Sequence, residues 1–206
     1  MICIKKILNV LGISDMTANF KNVRAISLTA VLIALTIIAN GLLKIQLTMG
    51  LEIRFGFVFL ATIAYLFGPV ATFAAGFITS VLTFLLFPTG YPFDPRFDLN
   101  AGLAGAIYAI FLFKKNYKSE YFIIWIVAAK ITVNFICNIF INTFLLKGYI
   151  GSLAEIVTIT RVFKNIALLP IEIVVMLFVI KYVAAAAQKY KFIKPVNTDK
   201  KREVKT

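Results

Sequence analysis

Residues 160–172 read TRVFKNIALLPIE, near the start of the last long apolar segment of the chain. This stretch carries Arg161, Lys164 and Glu172 where a lipid-facing helix would carry none. At ~100° per residue, Arg161, Asn165 and Glu172 fall within about 40° of one face, with Lys164 about 60° to one side. Each of these charges facing lipid costs at least ~2.5–3.5 kcal/mol. The face is therefore expected to look into protein or a wet cavity, and an intramembrane ionisable cluster reads as a site. The blander alternative is that Arg161 and Lys164 mark the outer membrane boundary and snorkel to water.

Composition supports the membrane reading. Of the 206 residues 61% are hydrophobic, with a mean hydropathy of +0.91, well above the ~45–50% apolar share of soluble domains. The net charge of +13 does not point to nucleic acid, because the basic residues sit in short blocks between apolar runs. Histidine is absent, which excludes histidine metal sites and triads; Cys3 and Cys137 are too far apart to form a disulfide framework. No catalytic constellation, metal site or cofactor is expected: the chain has neither a phosphate loop nor a nucleophile elbow. It reads as a binding subunit that lacks its own motor.

The apolar runs predict an all-α membrane protein, a six-transmembrane-helix bundle with both termini cytoplasmic. The expected divisions are an amphipathic segment over 1–22, the membrane domain over 23–188, and a basic tail over 189–206. Helix one covers about 23–43, followed by a polar loop over 44–50. Helix two covers about 51–67 and opens with Glu52 and Arg54, and helix three covers about 70–87 after the break at Gly68-Pro69. The segment 88–97, PTGYPFDPRF, suits an ordered loop over a cavity. Helix four covers about 98–113 and helix five about 121–146. After a loop over 147–155, helix six runs to about 187, with a bend expected at Pro170. Fifteen of the 22 Lys and Arg residues fall in the N-terminal segment, the loop at 114–118 and the C-terminal region, so that side is read as cytoplasmic.

The other charges converge on the outer half of the bundle. Arg54 opens helix two, Arg96 lies in the aromatic loop, and Arg161 and Lys164 open helix six. Helix five carries Lys130, Asn134, Asn138 and Asn142 at four-residue spacing, a winding polar stripe. Interhelical hydrogen bonding is one reading of the stripe, and a ligand site is the other. Cations, amides and aromatics around an outward cavity suit a planar, anionic, polar ligand.

Several short pieces now fall into a recognisable order: Ala30-x-x-x-Ala34, LEIRFGF over 51–57, Gly68-Pro69, the loop from Pro88 to Phe97, Leu99-Asn-Ala101, GAIY over 105–108, and Arg161-x-x-Lys164-Asn165 with Pro170-x-Glu172. Over roughly residues 17–187 the chain resembles the substrate-binding S components of energy-coupling factor (ECF) vitamin transporters, above all the folate-type ones. The resemblance implies capture of a vitamin from outside, with a membrane coupling protein and two ATPase subunits as partners. Ala30 and Ala34 would dock on the coupling protein, and the segments 44–50 and 88–97 would act as lids. Arg161 and Lys164, beside Asn165, would meet ligand carboxylates; Phe93 and Phe97 would cover its rings, and Asn134 and Asn138 would bond its heterocycle. Many folate-type members carry an acid where this chain has Ser80; Asp94 or the asparagine stripe would substitute. Lys130 and Glu172 either pair with each other or face the ligand. Riboflavin or pantothenate as ligand, or a scaffold whose polar stripes only join helices, are the alternatives.

Overall fold

The computed structural model describes residues 23–48, 51–88, 92–151 and 153–190. The expected amphipathic segment over 1–22 and nearly all of the expected tail lie outside the described residues. Among the described residues the elements run in the order α1 (Val23–Gly41), β1 (Ile45–Thr48), β2 (Leu51–Ile53), α2 (Phe57–Phe67), α3 (Pro69–Leu86), α4 (Pro95–Leu112), α5 (Phe122–Val133), a π-helical segment (Asn134–Ile141), α6 (Asn142–Ile150) and α7 (Leu153–Lys189). With α5, the π segment and α6 taken as one rod, the described residues hold six helical rods. Four of these are long and apolar enough to cross a membrane: 23–41, 69–86, 122–149 and 157–189.

The shortest rod, α2, forms the centre. Its eleven residues are apolar apart from Thr62 and Tyr65, and nine of them, including everything from Leu60 to Phe67, are buried. A helix apolar on every side is stable only when enclosed by other helices. The Thr62 hydroxyl returns a hydrogen bond to the Val58 carbonyl at 2.8 Å, which removes a donor that an apolar interior cannot satisfy. Gly68, at φ +85°, turns the chain sharply, and Pro69 begins α3 where its missing N–H is not needed.

Packing of α3 on α4 is backbone to backbone. A Cβ on Gly76 would lie 2.6 Å from the Ala101 carbonyl oxygen, and one on Gly105 would lie 2.7 Å from that of Thr72. Small residues allow this approach, which compensates for the lack of a hydrophobic drive between helices in lipid. At one end of the bundle Tyr65 meets Tyr117 and Phe122 edge-on, and Tyr117 donates to Gln188 at 3.2 Å. That end is closed. The opposite end is open and contains the cavity.

Three boundaries differ from the sequence expectation. Residues 44–50 are not simply a polar loop, and 51–56 are not helical. Instead β1 and β2 form an antiparallel hairpin pairing Ile45 with Ile53 and Gln46 with Glu52. The reason is visible in the alternation Ile45-Gln46-Leu47-Thr48 and Leu51-Glu52-Ile53-Arg54, whose period of two is that of a strand. Helix α2 therefore begins at Phe57, where the Asn40 side chain of α1 accepts from the Gly56 N–H at 3.1 Å. Helix α4 begins at Pro95, three residues before the expected start, because the Asp94 side chain caps it through the Arg96 N–H. The expected loop over 147–155 is largely helical: α6 runs to Ile150 and α7 begins at Leu153, with Gly151 in a turn at a positive φ of 56°. Helix α7 continues through Pro170.

Candidate functional site

The open end of the bundle encloses a cavity of about 370 Å³, within the range of small-molecule sites. Every rod and the hairpin contribute to its wall. Helix α7 brings Arg161, Lys164, Asn165 and Glu172 to the cavity together, as the shared face required. Asn165 is buried. The face therefore lines the cavity.

The hairpin is anchored directly to this face. Lys164 donates from Nζ to the Glu52 backbone carbonyl at 2.8 Å. Arg54 holds the Glu52 carboxylate through Nε at 2.8 Å and through its terminal nitrogen at 2.7 Å. Arg54 lies between β2 and α2 rather than opening a helix, and it lines the cavity with Lys44.

The loop before α4 forms the facing rim. Phe93 and Phe97 both line the cavity. Phe93 packs against Phe84 at 5.3 Å between ring centres, and Phe97 against Tyr149 at 6.3 Å. Asp94 also lines it, but its oxygens are engaged: it accepts from the Arg96 guanidinium at 3.0 Å on each oxygen and from the Tyr149 hydroxyl at 2.9 Å. The Arg96 side chain, together with its N–H, the Tyr149 hydroxyl and the nearby positive charge, outweighs the modest burial and lowers the Asp94 pKa from 3.8 to about 2.

Lys130 sits 3.1 Å from Glu172 in an ion pair, with the lysine side chain only 3% exposed and its Nζ 3.5 Å from the centre of the Phe57 ring. Both residues of the pair also line the cavity, so the two readings of Lys130 coexist in one arrangement. Of the asparagine stripe, Asn138 and Asn142 line the cavity and Asn134 does not. Asn134 is buried behind them and accepts from the Asn138 side chain at 2.9 Å. A uniform α-helix would have wound the stripe steadily. The π-helical turns between Asn134 and Ile141 widen the rod instead, as such segments do at functional sites. Asn100 of α4 donates to the Cys137 carbonyl there at 3.1 Å.

Two lining residues of α4 were not among the sequence candidates. Asp98 and Tyr108 both face the cavity wall while almost wholly buried. In sequence an acid beside a helix start has an ordinary reason to be there, and Tyr108 enters only as the last residue of the GAIY piece. Their i, i+10 relation along an alanine- and glycine-rich helix is a weak pattern in sequence. Ala30 and Ala34 lie elsewhere, exposed on the outer face of α1.

A cavity walled by helices and rimmed with cations, amides and aromatic rings is what a capture protein needs. The relatives agree with that reading. The family model described as "ECF-type riboflavin transporter, S component" matches residues 20–185. The folate transporter FolT of Clostridium novyi (strain NT) is 30% identical over 155 residues, 75% of this chain and 87% of that protein. The crystal structure of FolT bound with folic acid superimposes with a TM-score of 0.67 at 29% identity, over 78% of this chain and 95% of that one. This chain belongs to the S components of ECF-type transporters, and is a transport subunit rather than an enzyme.

Proposed function

We propose that the chain captures folate, or a close relative of it, at the open end of the bundle for import energised by a membrane coupling protein and two ATPase subunits. The observation that carries this reading is the convergence of Arg161, Lys164 and Arg54 with Phe93 and Phe97 around one cavity. Folate is a flat heterocycle joined to a glutamate with two carboxylates, so it needs cations at one end and ring faces at the other. In this reading Arg161 and Lys164, beside Asn165, receive the carboxylates, and Phe93 and Phe97 cover the rings. Asn138 bonds the heterocycle with Asn134 orienting it from behind.

Six spans with both termini in the cytoplasm of a prokaryotic cell belong to the same reading. The basic residues Lys114, Lys115 and Lys118 flank Tyr117 in the loop after α4, at the closed end, and their charge supports a reading in which that end is cytoplasmic and the cavity faces outward. Titration of the purified protein with folic acid tests the ligand. Saturable binding that weakens at least tenfold in Arg161→Ala is expected, the scale of a charge-assisted hydrogen bond of about 1.5–3 kcal/mol. Absence of binding in the wild type removes folate.

A second reading has one specific support: the matching family model is described by riboflavin. Riboflavin has no carboxylate and so brings no anion for Arg161 and Lys164, which the proposed reading assigns to ligand carboxylates. Competition between folic acid and riboflavin for the same purified protein separates the two.

A further inference from the structure

With Asp94 held by Arg96 and Tyr149, and Glu172 in an ion pair with Lys130, another carboxylate lies one helical turn further along α4. Asp98 lines the cavity, is 3% exposed, and its Oδ2 has no hydrogen-bond partner among the described residues. Along the same wall follow Ala101 and Ala104, then Tyr108. The Tyr108 hydroxyl is likewise buried without a partner among the described residues. The two alanines, with Gly76 on α3, also line the cavity, so the side chains between these two polar groups are small. Asp98 and Tyr108 are separated by ten residues, roughly 15 Å along the helix axis.

A buried polar oxygen without a partner is costly and needs an explanation. An acid in the first turn of a helix does favour the positive end of the helix dipole. That role is served equally by an exposed side chain, so it does not account for burial against a cavity. A carboxylate only accepts hydrogen bonds. The best complement for its two oxygens is a planar edge with two adjacent N–H donors, the geometry that also makes guanidinium pairing bidentate. The small apolar side chains of Ala101 and Ala104, on the same cavity wall as Asp98, give such a ring a surface to lie on.

We infer that Asp98 reads an amino-substituted, N–H-donating edge of the ligand's heterocycle and so selects aminopyrimidine-type rings. A ring edge with carbonyl oxygens on both sides of a single N–H places two acceptors against this acceptor and is rejected. This inference rests on the folate reading and supplies the selectivity that Arg161 and Lys164 cannot, because they address the other end of the ligand.

The test is a four-way titration. Wild type and Asp98→Asn are each titrated with folic acid and with its analogue lacking the 2-amino group. Wild type is expected to bind the analogue tenfold to a hundredfold more weakly than folic acid. Asp98→Asn is expected to lose a similar factor for folic acid and to distinguish the two ligands by less than about threefold. Asp98→Ser is carried alongside, and gel filtration identifies which variants are folded. Wild type that binds both ligands equally overturns the inference without any variant, as does a folded variant that still discriminates. In both cases folic acid binds the wild type, so the folate reading survives. A wild type that ignores folic acid, or that prefers riboflavin, overturns both.

Discussion

At the scale of single residues, the Lys130–Glu172 pair and the Asp94 cluster make opposite demands on water. Lys130 is enclosed by protein beside the Phe57 ring. Removing one partner of such a pair leaves the other charge uncompensated, a loss of about 3–5 kcal/mol, whereas replacing both by apolar groups is often close to neutral. Lys130→Met is therefore expected to lower the melting temperature of the purified protein sharply, and Lys130→Met with Glu172→Met to restore most of the loss. Equal melting of wild type and Lys130→Met would show that the pair is not structural. Asp94 lies at the rim, and its pKa of about 2 against an ordinary 3.8 means that folded protein holds the charged form more strongly than unfolded chain does. Its contribution is fully present above about pH 4 and is lost as pH falls through about 2. Below that, the rim at Tyr149 and Phe97 is expected to loosen, read as faster amide exchange at residues 92–97 at pH 2 than at pH 5 once the intrinsic pH dependence of exchange is removed. Most of these side chains could be picked out in sequence, because a charge inside an apolar run must be accounted for. Asp98 escaped because an acid near a helix start already has an ordinary reason to be there.

At the scale of elements, the long apolar rods were legible and the short irregular ones were not. Runs such as Val23–Gly41 admit one reading in a membrane protein. The hairpin does not stand out because its strands are only four and three residues long: β1 lies in a stretch that reads as polar loop, and β2 extends the hydrophobic run of α2. The π segment gave no signal, since its i→i+5 bonds depend on what packs beside it, including the Asn100 bond to the Cys137 carbonyl. The hairpin now carries a prediction. Its attachment includes the Lys164 bond to the Glu52 carbonyl, so Lys164→Met is expected to speed proteolysis within residues 44–56 while α2 stays protected. Unchanged cleavage would mean that the strand pairing alone holds it. Between α3 and α4, Gly105→Leu forces a side chain against the Thr72 carbonyl, which a Cβ would already approach to 2.7 Å. Overpacking of this kind costs about 1–3 kcal/mol and is expected to lower the melting temperature. It would also disturb the wall that carries Asp98.

At the scale of the whole molecule, the interior and the outer surface of α1 do different work. Thr36 and Asn40 face the cavity, while Ala30 and Ala34, spaced one turn apart, are exposed on the opposite side. Lipid alone places no premium on small side chains there, and the same face carries Val31, Leu35 and Ile38, which are large and exposed. A strip of small residues beside large ones lets another helix approach closely, which fits the proposed docking on a coupling protein. This separates capture from delivery in one experiment. Ala30→Leu with Ala34→Leu is expected to bind folic acid within about twofold of wild type, because neither residue lines the cavity. In cells supplying the coupling protein and its ATPases, the same variant is expected to lose most folate uptake and to fail to co-purify with the coupling protein. Normal uptake would remove this face from the interface. Loss of binding in the isolated subunit would mean that the outer strip and the cavity are mechanically joined, and that α1 transmits strain rather than serving as a docking surface.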